Sequence, residues 1–361
     1  MNSNRLYFID IIRAFAIIMM LQGHFISTLL ADSYKDLNFI PYSVWSYFRG
    51  ITAPTFFTIS GLIFTYLLLK AKEKGTEKLR MRKGIIRGFS LIGIGYLLRI
   101  PFLAWFSGSF NTYFLVIDVL QCIGLSLLVI ILLYFLCAKR IFLFSVVVFV
   151  LGIVIFLSEP LYRTLSIDAL PMFFNNYISK SNGSVFTMIP WFGYVAFGAY
   201  LSTLFHRYAQ KPHFKKITVA SFFVVGSVLI LNSSHFLSFL YDVTDIKLFI
   251  DAANYNYLFT RLGNVFISFA FFYAFEKYLK FPLLLRIGQK TLSIYVIHFT
   301  IIYGSFIGIG LNSVIGKVLT PWKAVFGAVL FITIVCFISF YYVQTNAYIY
   351  AKLRSLLKKR T

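Results

Sequence analysis

Long apolar runs, each closed by a short polar segment, follow one another along most of the chain. Ten such runs can be marked, near 9–30, 42–69, 84–106, 113–137, 141–157, 185–205, 217–239, 258–279, 287–309 and 323–349. About 20 mostly apolar residues suffice for a helix to cross a ~30 Å hydrocarbon core. Tyr, Trp and Phe gather at many of the run ends, as interfacial belts do. The pattern predicts an all-α polytopic membrane protein, a single integral-membrane domain over residues 1–361. The longest polar stretch, 158–184, carries Pro160, Pro171, Asn175 and Asn176 and reads as an outer loop or lid. No internal repeat is evident, and Gly93 with Gly95 gives only a faint hint of an interrupted helix.

Loop charge supplies the orientation. Arg5, the segment 70–87, Lys139 with Arg140, and segments 207–216, 277–290 and 352–360 are rich in Lys and Arg. The alternate loops, near 32–36, 107–111, 158–184, 241–256 and 310–322, hold few Lys or Arg and several Asp. This alternation places both termini in the cytoplasm of a multi-pass protein of the inner membrane. Only 13% of residues are charged and 59% are hydrophobic, against about 25% charged in a soluble domain. The net charge of +22 therefore reads as topogenic loops facing an anionic leaflet, not as a nucleic-acid surface. Cys122, Cys137 and Cys336 lie in apolar runs, with no pattern that argues for disulfides or a metal cluster. The first apolar run is too long for a cleavable signal peptide. Composition leaves the oligomeric state open, a homo-oligomer included.

Ionisable residues inside these runs are costly at membrane depth and mark candidate function. The first run carries Asp10, Arg13 and His24. Arg13 and His24 are eleven residues apart, almost whole turns, so they share one helix face about 16 Å apart along the axis. Asp10 precedes Arg13 at the i,i+3 spacing that lets a carboxylate and a guanidinium pair. Arg99 lies fifteen residues into its run, as His24 does, so their depths match. Asp118 and Gln121 fall about one to two turns inside the fourth run and Arg49 about two turns inside the outer end of the second. These five predict an outer-half polar layer. Near the cytoplasmic end, Asp10 and Arg13 with Arg82, Lys83 and Arg87 offer a landing surface for a phosphate-rich cosubstrate. His24 suits a general base, Arg99 could stabilise an oxyanion, and Asp118 could orient or balance the pair. His298 reads as a structural polar contact; His206, His213 and His235 lie in loops or near run ends and carry no assignment. No HExxH or close His/Asp cluster is present, and a metal is not expected.

The pattern Arg5, Asp10, Arg13, ten residues, then His24 resembles the first-helix signature of the acyltransferase-3 family, and Arg99-Ile100-Pro101 is similar to its third helix. Other stretches look more like the heparan-alpha-glucosaminide N-acetyltransferase family. They are Pro54-Thr55-Phe56-Phe57-Thr58-Ile59-Ser60-Gly61, Asp118-Val119-Leu120-Gln121, Ile189-Pro190-Trp191-Phe192-Gly193-Tyr194, and Leu285-Arg286-Ile287-Gly288 leading to Tyr295 and His298. The resemblance implies a membrane acyltransferase of the cell envelope. It would move an acyl group, usually acetyl, from cytoplasmic acyl-coenzyme A to a hydroxyl or amine of an extracytoplasmic saccharide or glycan. Carried over, His24 is the base or acyl relay, supported by Arg99 and Asp118. Asp10, Arg13, Lys83 and Arg87 serve the coenzyme A, while Arg49, Gln121 and Trp191 serve the acceptor. Two positions depart from the pattern: Ala14 replaces the usual glycine after the arginine, and residues 31–47 hold no histidine. The second departure shifts the catalytic role onto His24 and weighs toward sugar O-acetylation over acetylation of a sugar amine. Buried arginines and a histidine relay would also serve a transporter or flippase of an anionic or glycolipid substrate.

Overall fold

The computed structural model describes residues 6–163, 165, 167 and 169–358, with side chains through Tyr342. Arg5 and the end of the basic tail lie outside the described residues. The described chain is helical, with one isolated β-bridge. It begins with α1 (Tyr7–Leu29), α2 (Ile40–Arg49), α3 (Thr52–Glu73), α4 (Glu77–Leu97) and the short α5 (Phe102–Phe106). It continues through α6 (Val119–Leu136), α7 (Ile141–Leu157), the short α8 (Glu159–Tyr162) and α9 (Met172–Ile178), α10 (Met188–Tyr208), α11 (Phe214–Thr244) and α12 (Lys247–Asn254). The last part holds α13 (Tyr257–Ala274), α14 (Pro282–Gln289), α15 (Thr291–Tyr303), α16 (Leu311–Val314) and α17 (Pro321–Lys358).

Every predicted run is helical at its centre, but not every one is a complete span. Six stretches among the described residues are long and apolar enough to cross a membrane: Tyr7–Leu29, Ile40–Glu73, Thr112–Leu136, Met188–Tyr208, Phe214–Thr244 and Pro321–Tyr342. Helices α7 and α15 are apolar but shorter. The first half of α4 carries Arg80, Arg82, Lys83 and Arg87, and α13 fits Arg261 and Asn264 into 18 residues. The fold is thus that of an integral, multi-pass, all-α membrane protein.

Several runs are interrupted where their polar residues sit. Arg49 ends α2, and a turn at Gly50-Ile51 separates it from α3. Helix α4 stops at Leu97, so Arg99 lies beyond it rather than deep within a continuous span. Pro101 explains this, since the residue before a proline is steered away from helical geometry. The fourth run opens as a short 3-10 turn, Thr112–Leu115, and becomes α-helical only at Val119. Asp118 is therefore the N-cap of α6, not one or two turns inside it. Gly93 and Gly95 lie within the unbroken α4. The 158–184 segment packs on the extended lead-in: Asn176 Nδ2 donates to the Leu115 carbonyl at 2.9 Å, and the Ile117 N–H donates to Ser184 Oγ at 3.1 Å.

With lipid replacing water, helix association rests on close van der Waals packing, which small residues allow. A Cβ on Gly61 would run into the Val195 carbonyl and one on Gly198 into the Thr58 carbonyl, so α3 and α10 touch backbone to backbone. Gly88 and Gly124 make the same approach between α4 and α6. At the start of α1, Phe8 stacks on Phe205 at 5.7 Å and lies 4.3 Å from the Tyr273 ring. At the other end of α1, Leu30 pairs with Leu319 in the β-bridge, and Asp32 meets Lys35 at 2.8 Å and Lys317 at 3.1 Å. The hydrogen bonds from these two lysines hold the exposed Asp32 carboxyl below its ordinary pKa.

Candidate active site

One face of α1 forms the wall of a cavity of about 1050 Å³. Arg13, Ile17, Met20, His24 and Ser27 follow one another along it at helical spacing. The Arg13 and His24 side chains therefore reach the same space at two depths, as their spacing predicts.

At the Arg13 end the cavity is basic. Arg13 Nη1 lies 3.7 Å from Asp10 Oδ1, and its Nη2 donates to Thr291 Oγ1 at 2.8 Å. Arg80 and Arg87 line the same end, and neither has an ion-pair partner among the described residues. Arg80 lies in the first turns of α4, ahead of the apolar run, with its guanidinium over the Phe64 ring at 5.8 Å. Burial, and then the charge of Arg87, pull the Arg80 guanidinium below its ordinary pKa, a cost that a bound anion would offset. Lys83, expected beside them, is exposed and off the cavity wall. Asp10 acts through Arg13 and does not line the cavity.

Deeper in, His24 Nδ1 and the Tyr303 hydroxyl are 2.8 Å apart, and both residues line the cavity. Tyr303 is the last residue of α15, and Gly304 ends that helix in the left-handed conformation, with φ of 68°. His298, one to two turns back on α15, packs against His24 with ring centroids 5.3 Å apart. His298, expected as a structural polar contact, is fully buried, and neither ring nitrogen has a well-formed hydrogen bond among the described residues.

The far end is built by the broken helices. Arg99 Nη2 donates to Asp118 Oδ2 at 3.0 Å, and the guanidinium lies over the Tyr113 and Phe299 rings at 5.1 Å and 5.8 Å. Asp118 Oδ1 also accepts from the Val119 N–H at 2.8 Å, so helix capping fixes the carboxylate that holds Arg99. Gln121 completes the cap by accepting from the Asp118 N–H at 3.2 Å. It is fully buried against Gly95 and does not reach the cavity. Arg49 does reach it, beside Gly23, with its guanidinium 5.5 Å from the Trp45 ring centre. Trp45 Nε1 in turn donates to Gln22 Oε1 at 2.6 Å. Trp191 also lines the cavity, packed on Phe57 and Phe186 at 5.1 Å and 4.9 Å. Of the sequence-predicted site residues, His24, Arg13, Arg99, Asp118, Arg49, Arg87 and Trp191 share this one cavity. Tyr303, Thr291 and Arg80 join them unpredicted.

The sequence model of the catalytic region of heparan-alpha-glucosaminide N-acetyltransferase matches residues 5–242, more than half of the chain. The chain belongs to this family. Among curated proteins, none matches it. The matched range carries α1 with Arg13 and His24, the α2–α3 break with Arg49, the Arg99–Asp118 pair and Trp191. Thr291, His298 and Tyr303 lie outside it, yet they complete the same cavity wall or its backing. Most of the residues that line the cavity fall within the matched range.

Proposed function

We propose that this protein is a membrane acetyltransferase. In this reading it takes an acetyl group from acetyl-coenzyme A at the basic end of the cavity. It passes that group to a hydroxyl or amine of a carbohydrate-type acceptor entering from the far end. The observation that carries the proposal is the placing of His24, bonded to Tyr303, between unpaired arginines on one side and the Arg99–Asp118 pair on the other, all within one cavity. The loop charges support a cytoplasmic side for the basic end and both termini, where the donor is available. Arg13, Arg80 and Arg87 would grip its phosphates, for which arginine forks are well shaped.

Chemistry follows from the Tyr303 contact. With Nδ1–H donating to the Tyr303 oxygen, Nε2 carries a lone pair. It takes the proton of the acceptor hydroxyl or amine as that atom attacks the thioester carbon. The C–O or C–N bond forms and the C–S bond breaks. The proton on His24 then passes to the departing thiolate. Arg99, held by Asp118, supplies positive charge for the transient oxyanion. Trp191 and its aromatic neighbours offer a stacking wall for a sugar ring.

The test is His24→Ala in the purified full-length protein. Transfer should fall by at least about 100-fold, the scale of a lost general base, with thermal unfolding and donor binding retained. Near-normal transfer by His24→Ala would overturn the role of His24.

A further inference from the structure

The charges on the cavity wall are unequally balanced. Arg13 is paired with Asp10, and Arg99 with Asp118. Arg80 and Arg87, at the donor end, have phosphates to meet in the reading above. Arg49 alone is left at the acceptor end. It reaches the cavity beside Gly23, the residue before His24, and has no carboxylate partner among the described residues. Its partner is the Trp45 ring, 5.5 Å away and fixed by the Gln22 hydrogen bond. A guanidinium held by an aromatic face keeps its donors free for another group. The Arg99–Asp118 pair uses up the acidic side chain of that end, so a cationic acceptor has no counter-charge there.

We infer that the acceptor is an anion: it carries a phosphate, sulfate or carboxylate that pairs with Arg49 while its hydroxyl or amine faces His24 Nε2. This rests on the acetyltransferase reading and narrows its acceptor class. The Arg49 stem packs beside Gly23, next to His24 in the chain, and both Arg49 and His24 line the cavity, so the anionic group belongs on the sugar itself or on the headgroup that bears it. Arg49 binds and orients the acceptor and takes no proton. Arg49 is exposed to the cavity, so its guanidinium is open to an anionic group, whereas a neutral sugar would forgo that charge-assisted contact.

The experiment uses the full-length protein in detergent, saturated with acetyl-coenzyme A, and reads thermal unfolding. Glucose 6-phosphate, glucose 6-sulfate, glucuronate and glucose are titrated in parallel, as is phosphatidic acid doped into the micelles. At least one anionic probe should raise the unfolding temperature saturably, with glucose weaker by on the order of tenfold or more in half-saturation, as expected for a lost charge-assisted contact. Stabilisation by the soluble sugars assigns the anion to a sugar substituent, and stabilisation by phosphatidic acid alone assigns it to a lipid headgroup; each supports the proposal. Arg49→Gln should abolish the increment and Arg49→Lys retain part of it, both keeping the shift caused by acetyl-coenzyme A. An anion increment that survives Arg49→Gln, or equal responses to glucose and every anion, overturns the proposal while leaving the donor reading intact. Absence of the acetyl-coenzyme A shift in the wild type would instead overturn the donor reading and, with it, this one.

Discussion

At the residue scale, the proposed chemistry has His24 Nδ1–H donate to the Tyr303 oxygen, 2.8 Å away, which leaves Nε2 as the base. An imidazole whose Nδ1 proton is held by a neighbour presents Nε2 as an acceptor, in one orientation. Tyr303→Phe should therefore lower kcat by about tenfold, the worth of one neutral hydrogen bond, with KM for acetyl-coenzyme A unchanged. Steady-state kinetics on the purified variant checks this; a change confined to KM would contradict it. His24 and Arg13 were legible because an eleven-residue spacing on one helix is a statement about geometry. Tyr303 was not, since nothing local ties residue 24 to residue 303. Gln121 was read as a ligand for its polarity at membrane depth. Its side-chain oxygen serves the Asp118 cap, a demand seen only once the helix start is known.

At the element scale, the site is made from helix ends. Arg49 closes α2, Arg99 follows the end of α4, Asp118 caps α6, and Tyr303 ends α15. Irregular backbone at membrane depth is tolerated where it lines a cavity, because polar groups or water there can satisfy it. Hydropathy alone smooths over such breaks, which is why these segments read as continuous runs, although Pro101 marked one of them. What keeps the broken elements in register is the unbroken packing behind them. Gly198 is the sharpest instance: a Cβ there strikes the Thr58 carbonyl and comes within 2.9 Å of the Leu62 nitrogen, both backbone atoms of α3. Gly198→Ala should cost on the order of 1–3 kcal/mol of overpacking. It should lower the thermal unfolding temperature in detergent by several degrees; an unchanged temperature would show that α3 and α10 can separate without cost.

At the scale of the whole molecule, α1 and α15 bring residues from the two ends of the chain to one cavity wall. The Leu30–Leu319 bridge, with Asp32 held by Lys35 and Lys317, ties the end of α1 to the lead-in of α17. All-α class and membrane character were plain from the apolar runs, while the tally of ten spans was not reproduced as long apolar helices. Arginine-rich α4 shows why: the charges in its first half keep it from reading as a long apolar helix, and Arg80 and Arg87 on it line the basic mouth of the cavity. That mouth is the central claim, because a donor site there separates an acetyltransferase from a transport pathway built of the same buried arginines. The most direct measurement is equilibrium binding of acetyl-coenzyme A to the purified wild type, Arg13→Ala and His24→Ala proteins. Saturable binding by the wild type, weakened by about tenfold or more in Arg13→Ala and nearly unchanged in His24→Ala, is the predicted result. No saturable binding to the wild type, or equal binding by Arg13→Ala, would contradict the account.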